Sequence, residues 1–168
     1  MRYVGIVLVA LALAGSGIAA AARVKKRCIS LGSIISFLKI FKVELEFAMS
    51  ETGLLVRSAA KIMESPPCFI ESFGELAKES ENLPEAWRSA VLRHKLDLCL
   101  KQNELDAVLQ LGGILGNYDA ERQMSAISAA EIRLSEMYSA AHSECEQKAR
   151  LFRTLGMLTG AAAAIILI

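Results

Sequence analysis

The sequence predicts an all-α fold, a six-helix antiparallel bundle with a membrane helix at each end of the chain. Apolar residues recur at helical spacing throughout, and no stretch alternates apolar and polar residues for long enough to form a strand. In addition, the apolar excess is concentrated at the two termini, within an overall apolar fraction of 54%. At 168 residues the chain is long enough for one domain with a sizeable core.

The N-terminal segment YVGIVLVALALAGSGIAAAA, residues 3–22, predicts a transmembrane helix over residues 1–22. Its twenty uncharged residues would reach about 30 Å as a helix, which is the thickness of a bilayer core. A cleaved secretory signal peptide is the alternative, because Arg2 precedes the apolar run and small residues surround Ala20. The basic run RVKKR that follows favours a retained helix.

The C-terminal segment TLGMLTGAAAAIILI reaches about 22 Å, so residues 154–168 are predicted to be a second membrane helix or an embedded tail. Basic residues border both apolar segments on the side that faces the middle of the chain, and such clusters are typical of the cytoplasmic side. The sequence therefore predicts a cytoplasmic helical domain over residues 23–153. The predicted membrane-flanking residues are Arg23, Lys25, Lys26, Arg27, Lys148, Arg150 and Arg153.

The overall charge of +1 hides an uneven distribution. Without Arg2 and the seven flanking basic residues, the chain holds eleven basic and eighteen acidic residues, a net charge of −7. The basic flanks would attract anionic membrane lipid, whereas an acidic body argues against nucleic acid and allows a basic protein partner; a solvated helical surface is the alternative. The candidates for a partner interface are Glu75, Glu79, Glu81, Glu85 and Trp87, although Trp87 also fits a core position.

The helical body begins with a predicted helix over residues 30–50, whose apolar face carries Ile34, Leu38 and Phe41. Because no glycine or proline separates it from the membrane segment, one continuous helix is expected. Turn residues then predict helices over 54–64, from Pro66 onward, over 85–96 and from 102 onward. The last helix begins near Asp119 and meets no glycine or proline for more than thirty residues, so it pairs with the first in an antiparallel stalk.

The segment LGGILGNYDAERQ, residues 111–123, holds three glycines in five residues, as a phosphate-binding loop might require. Such loops follow a β-strand, and a P-loop also needs Gly-Lys-Ser/Thr. Here a helix precedes the glycines and Asn117 follows Gly116. The pattern favours a chain reversal in which Gly116 ends one helix in the left-handed conformation and Asn117 or Asp119 caps the next.

The sequence contains few of the residue patterns that enzymes use for catalysis. It has two histidines, no G-x-S-x-G serine turn, and four cysteines without a C-x-x-C pair. His142 and Cys145 lie three residues apart, as half of a zinc site would, but the other cysteines show no spacing that supplies two more ligands. We therefore expect no catalytic residue, no metal, no cofactor and no small-molecule substrate. In a cytoplasmic body the cysteines are expected to be reduced and mostly buried.

Three motifs carry a family resemblance. LGGILGNYDAERQ matches L-G-x-x-L-G-x-x-D-x-x-x-Q, EAWRSA matches an E-A-W segment, and LGMLTG matches an L-G-x-L-x-G tail. Together they resemble the stage III sporulation protein AB family of endospore-forming bacteria. The chain departs from that family at SETGLL, residues 50–55, where a proline is usual. The family positions in the first motif are Leu111, Gly112, Leu115, Gly116, Asp119 and Gln123.

The resemblance implies a function that the residues alone do not. Members of that family serve a channel-like complex between mother cell and forespore, beside a secretion-type ATPase, stage III sporulation protein AA. Their helical body is similar to the cytoplasmic domains of type II secretion F-type membrane proteins. The implied protein is a non-enzymatic component of the mother-cell membrane that docks the ATPase and other membrane proteins of the complex. The alternative is a secreted or membrane-tethered helical sensor or interaction protein with a signal-peptide-like leader.

Overall fold

The computed structural model of the chain describes residues 2–47, 52–79, 82–115 and 120–167. These residues contain seven helices and no strand, which confirms the all-α prediction. The described count is seven instead of six because the predicted fourth helix divides at His94. The helices are α1 (Arg2–Phe47), α2 (Thr52–Ile62), α3 (Ile70–Glu79), α4 (Leu83–Arg93), α5 (Lys95–Leu98), α6 (Gln102–Gly112) and α7 (Ala120–Leu167).

Two long helices dominate the structure. α1 has 46 residues and α7 has 48, so each continues without a break from the body into a terminal segment, as the sequence predicts. The pair, here called the stalk, is antiparallel. Lys42 Nζ lies 3.1 Å from Glu131 Oε2, whereas the earlier Arg27 pairs with the later Glu144. At 1.5 Å per residue each helix is about 70 Å long.

The two predicted membrane segments form the outer ends of α1 and α7. The side chains of residues 1–20 and 152–168 lie outside the described residues, as do those of Arg150 and Arg153. Across the part of the chain that the structure does describe, no helix combines the length and the apolar character needed to cross a bilayer. The membrane assignments for residues 1–22 and 154–168 therefore stay predictions.

Trp87 organises the core. Its ring lies among three phenylalanine rings, with centroid distances of 5.0 Å to Phe69, 5.3 Å to Phe73 and 6.3 Å to Phe37. The indole Nε1 donates a hydrogen bond of 2.8 Å to the carbonyl oxygen of Val108, so the one polar atom of the ring is satisfied. Through these contacts Trp87 joins α4 to α1, α3 and α6.

The start of α3 differs from its prediction. The helix begins at Ile70, not at Pro66. Pro66 itself precedes Pro67, and the ring of a proline disfavours the helical conformation for the residue before it. The chain instead turns through Cys68 and Phe69 before the helix begins, so the prediction of a first turn at Pro66 was wrong.

Candidate functional site

The glycine-rich motif and the E-A-W segment meet in one packing contact. Gly112 is the last residue of α6, and a Cβ atom built there would lie 2.7 Å from Cδ1 of Trp87 and 3.2 Å from the carbonyl oxygen of Pro84. Real Cβ atoms essentially never approach a neighbour as closely as the first distance. The glycine is therefore needed so that α6 can pack against the indole, and the preceding element is a helix, not the strand that a phosphate loop requires.

α6 ends at Gly112, four residues before Gly116, where the end of this helix was predicted. The backbone N–H of Gly113 donates to Gln110 and that of Ile114 donates to Leu111, both three residues back, and such bonds tighten and end a helix. Gly116 and Asp119, to which the reversal and the cap were assigned, lie outside the described residues.

The remaining motif residues face the interior. Leu111 and Leu115 are buried in the core. Gln123 is 3% exposed at the first turns of α7, and its Nε2 has no hydrogen-bond partner among the described residues. The motif therefore contributes packing at the junction of α6 and α7.

A buried ion network fastens α6 to both stalk helices. Arg27 of α1 is 6% exposed, and its Nε lies 2.9 Å from each carboxylate oxygen of Glu104 in α6. Its Nη1 donates a 2.6 Å hydrogen bond to Glu144 of α7. Such charge-assisted bonds hold three helices through one guanidinium. Arg27 was predicted to be a membrane-flanking residue, but its charge is buried and paired within the body, so its guanidinium does not face lipid.

The carboxylates of the network have further partners. Glu104 is 1% exposed and also accepts a 2.8 Å hydrogen bond from the backbone N–H of Lys101 at the start of α6. Glu144 accepts bonds of 2.9 Å from both Lys148 Nζ and Lys101 Nζ. The bond to Glu104 is the main reason that the pKa of Arg27 is raised. The bonds from Lys148, Lys101 and Arg27, in that order, lower the pKa of Glu144 from 4.5 to about 2.

The lowered pKa of Glu144 predicts an acid-dependent stability. Because the folded state holds this carboxyl in its charged form, the stabilisation is complete above the unfolded pKa near 4.5 and is lost as the pH falls toward about 2. In Glu144→Gln the free energy of unfolding should therefore fall less steeply than in the wild type as the pH is lowered from 4.5 to about 2. Urea unfolding at several pH values measures it. Glu136→Gln removes an exposed carboxylate from the same helix and should keep the wild-type slope; equal slopes for all three proteins would contradict the assignment.

The other predicted flanking residues differ in their surroundings. Arg23 and Lys25 are exposed, and Lys26 is about half exposed while it pairs with Asp97 at 3.4 Å. Lys148 pairs with Glu144 at 2.9 Å. The first three keep charge that faces outward beside the predicted membrane helix.

The candidates for a partner interface also differ in their exposure to solvent. Trp87 is fully buried, with its ring packed in the core. Its assignment to a partner surface was therefore wrong. Glu75, Glu79 and Glu85 are exposed, and Glu81 lies outside the described residues.

Sequence reasoning missed a further member of the acidic surface. Glu71 precedes Glu75 by four residues, as Glu75 precedes Glu79, and all three are exposed on α3. Residues four apart share a helix face, so the spacing itself was the available signal. These three carboxylates are here called the acidic stripe. Within the described residues, no ion pair joins them to a basic side chain.

All four cysteines are free; Cys68 is exposed and the other three are half-buried, so the expectation of mostly buried thiols was wrong. Desolvation raises the pKa of Cys28 and of Cys68. His142 is exposed beside Glu146, and the described residues contain no group of three or more His, Cys, Asp or Glu that could hold a metal ion.

This arrangement defines a class of small helical bundle built on a long antiparallel helix pair and tied to it by a buried ion network. The chain belongs to the stage III sporulation protein AB family, whose family model matches residues 2–168. A solved structure of Stage III sporulation protein AB has a TM-score of 0.64 and 21% identity, with 72% of this chain and 97% of that chain covered. At that identity the likeness shows a shared fold. No curated protein matches the chain.

Proposed function

We propose that this sporulation protein is a non-enzymatic membrane component of the secretion-like channel complex between mother cell and forespore. In this proposal residues 1–22 anchor the chain in the mother-cell membrane, residues 23–153 form the cytoplasmic body, and residues 154–168 cross or enter the bilayer. The body docks a secretion-type ATPase, stage III sporulation protein AA, and contacts other membrane proteins of the complex. Membership of a stage III sporulation family supports the sporulation role.

The observation that carries the docking proposal is the acidic stripe of Glu71, Glu75 and Glu79. The opposite face of α3 is used inside the body, where Ile70, Phe73 and Gly74 are buried. The stripe therefore leaves an unneutralised, outward-facing row of charge on a helix that the core holds in place. Such a row fits a basic protein surface, because complementary charge steers association and fixes the register of the partners.

We further propose that the stalk passes movement of the docked ATPase to the membrane. α1 and α7 continue from the body into the terminal segments as uninterrupted helices, not as flexible linkers. Arg27, Glu104 and Glu144 connect α6 to both of them. A displacement of the body is thereby passed to two stiff helices at once.

Charge reversal of the acidic stripe tests docking. Glu71→Lys, Glu75→Lys and Glu79→Lys in one chain should lower co-purification of the ATPase about tenfold or more at low salt, because like charges would then face each other. Recovery of the ATPase on membranes that carry each variant measures the effect.

The matched control reverses three exposed carboxylates elsewhere, Glu46→Lys, Glu121→Lys and Glu136→Lys, with the same change in net charge. This variant should recover the ATPase as the wild type does. Equal recovery by both variants, at several salt concentrations, would contradict docking through the stripe.

A further inference from the structure

The connection from α4 through α5 to α6, residues 93–101, lies at one end of the body. Lys26 Nζ of α1 contacts Asp97 Oδ1 at 3.4 Å, and Lys101 Nζ contacts Glu144 Oε2 of α7 at 2.9 Å. Just beyond the connection, Glu104 pairs with Arg27. These three contacts place the connection, here called the tip, at the level of residues 26 and 27 of the stalk.

That level is close to the proposed membrane surface. Lys26 follows the end of the apolar segment at Ala22 by four residues, or about 6 Å of helix. The headgroup layer on each side of a bilayer is about 5–7 Å thick, as the difference between the hydrocarbon and total thickness shows. If residues 1–22 cross the membrane, on which this inference rests, the tip is at the depth of the lipid headgroups.

The tip carries an apolar side chain that is almost fully exposed. Leu96 is 90% exposed, the largest exposed fraction among the large apolar side chains of the described residues. The short helix that presents it is fixed at its end by Cys99, which holds the left-handed conformation at φ 54°. A non-glycine residue adopts that conformation at a cost, so the turn is a defined structure and not a loose loop.

Basic residues flank Leu96 along the chain and at the contacts of the tip with the stalk, beside one exposed acidic residue, Asp97. Arg93 and Lys95 are exposed on either side of His94, and Lys26 and Lys101 are each about half exposed. One exposed leucine is ordinary on a protein surface. An exposed leucine among cations at headgroup depth is the pattern of an interfacial anchor, in which the apolar group enters the boundary of the acyl chains and the cations meet lipid phosphates.

We propose that the tip is a second membrane contact of the body, in which Leu96 enters the surface of an anionic bilayer and the neighbouring Arg93 and Lys95 bind lipid phosphates. This contact would fix the tilt and rotation of the body relative to the membrane. It would act beside the terminal helices, not in place of them.

Quenching by brominated lipid tests the contact. The full chain with Leu96→Trp is reconstituted in vesicles of equal parts phosphatidylglycerol and acyl-brominated phosphatidylcholine. The added fluorescence should be lost relative to vesicles without bromine, whereas buried Trp87, present in every variant, should not be quenched. The matched control is Ile132→Trp, which replaces a side chain that is 63% exposed. Its neighbour Glu131 pairs with Lys42, about 30 Å along the stalk from Ala22, so its fluorescence should be retained.

Each of the other outcomes would overturn a specific part of the proposed function or of this inference. Release of the wild-type chain by an alkaline wash would overturn the membrane helices of the proposed function and this inference together. Retention of the chain without quenching at position 96 would overturn this inference alone. A blue shift in the fluorescence of the tryptophan at position 96 without quenching would also overturn this inference, because it would indicate burial against a second copy of the chain. Equal quenching in vesicles of phosphatidylcholine alone would overturn the role of the basic side chains.

Discussion

Arg27→Met is expected to lower the free energy of unfolding of the helical body by about 3–5 kcal/mol. The substitution leaves the carboxylate of Glu104, 1% exposed, without its counter-ion. Removal of one partner from a buried pair is costly because the remaining charge stays desolvated. Urea unfolding of the detergent-solubilised chain measures the change, with fluorescence of Trp87, the single tryptophan, as the reporter.

Two further variants decide whether the buried charge is the cause. Arg27→Met together with Glu104→Leu removes both charges and should recover most of the lost stability, since an apolar pair can replace a buried ion pair at little cost. Lys26→Met breaks the neighbouring exposed pair with Asp97 and should cost less than about 1 kcal/mol. A double variant as unstable as Arg27→Met would show that shape, not charge, holds α1 to α6.

The helical class and the two long helices could be predicted because both depend on local sequence. A 3.6-residue period and the absence of proline are visible within single segments, and α1 and α7 follow them. The ends of the shorter helices were less predictable. At Pro66 a local rule was available but missed, whereas the close packing of Gly112 against Trp87 joins residues twenty-five positions apart and is not visible within one segment.

The misassignment of Arg27 has a physical cause in the sequence. The run RVKKR was interpreted as one basic flank, but a helix turns by about 100° per residue and distributes such a run around its circumference. Arg27 lies four and seven residues before buried Leu31 and Ile34, so it shares their inward face. Glu104 likewise precedes buried Val108 by four residues. Helical phase could have placed both charges inside; only the structure shows that they meet.

Gly112→Ala is expected to destabilise the body by about 1–3 kcal/mol, because the new methyl group must displace a ring instead of a flexible side-chain end. The nearest atoms are Cδ1 and Cγ of Trp87, at 2.7 and 3.1 Å. The indole cannot move freely, since it is fully buried and hydrogen-bonded to the carbonyl of Val108. Thermal or urea unfolding of the wild type and of Gly112→Ala measures the difference in the free energy of unfolding.

The adjacent glycine is the matched control. A Cβ atom at Gly113 would lie 3.5 Å from its nearest neighbour, and its φ of −69° suits any residue, so Gly113→Ala should be neutral or stabilise the fold by about 0.4–1 kcal/mol. If the two substitutions have equal effects, close packing is not the role of Gly112. In a Trp87→Leu background, followed by circular dichroism, Gly112→Ala should lose most of its cost, since the obstructing ring is gone. An undiminished cost there would separate the glycine from the tryptophan, and the two family motifs would then act independently.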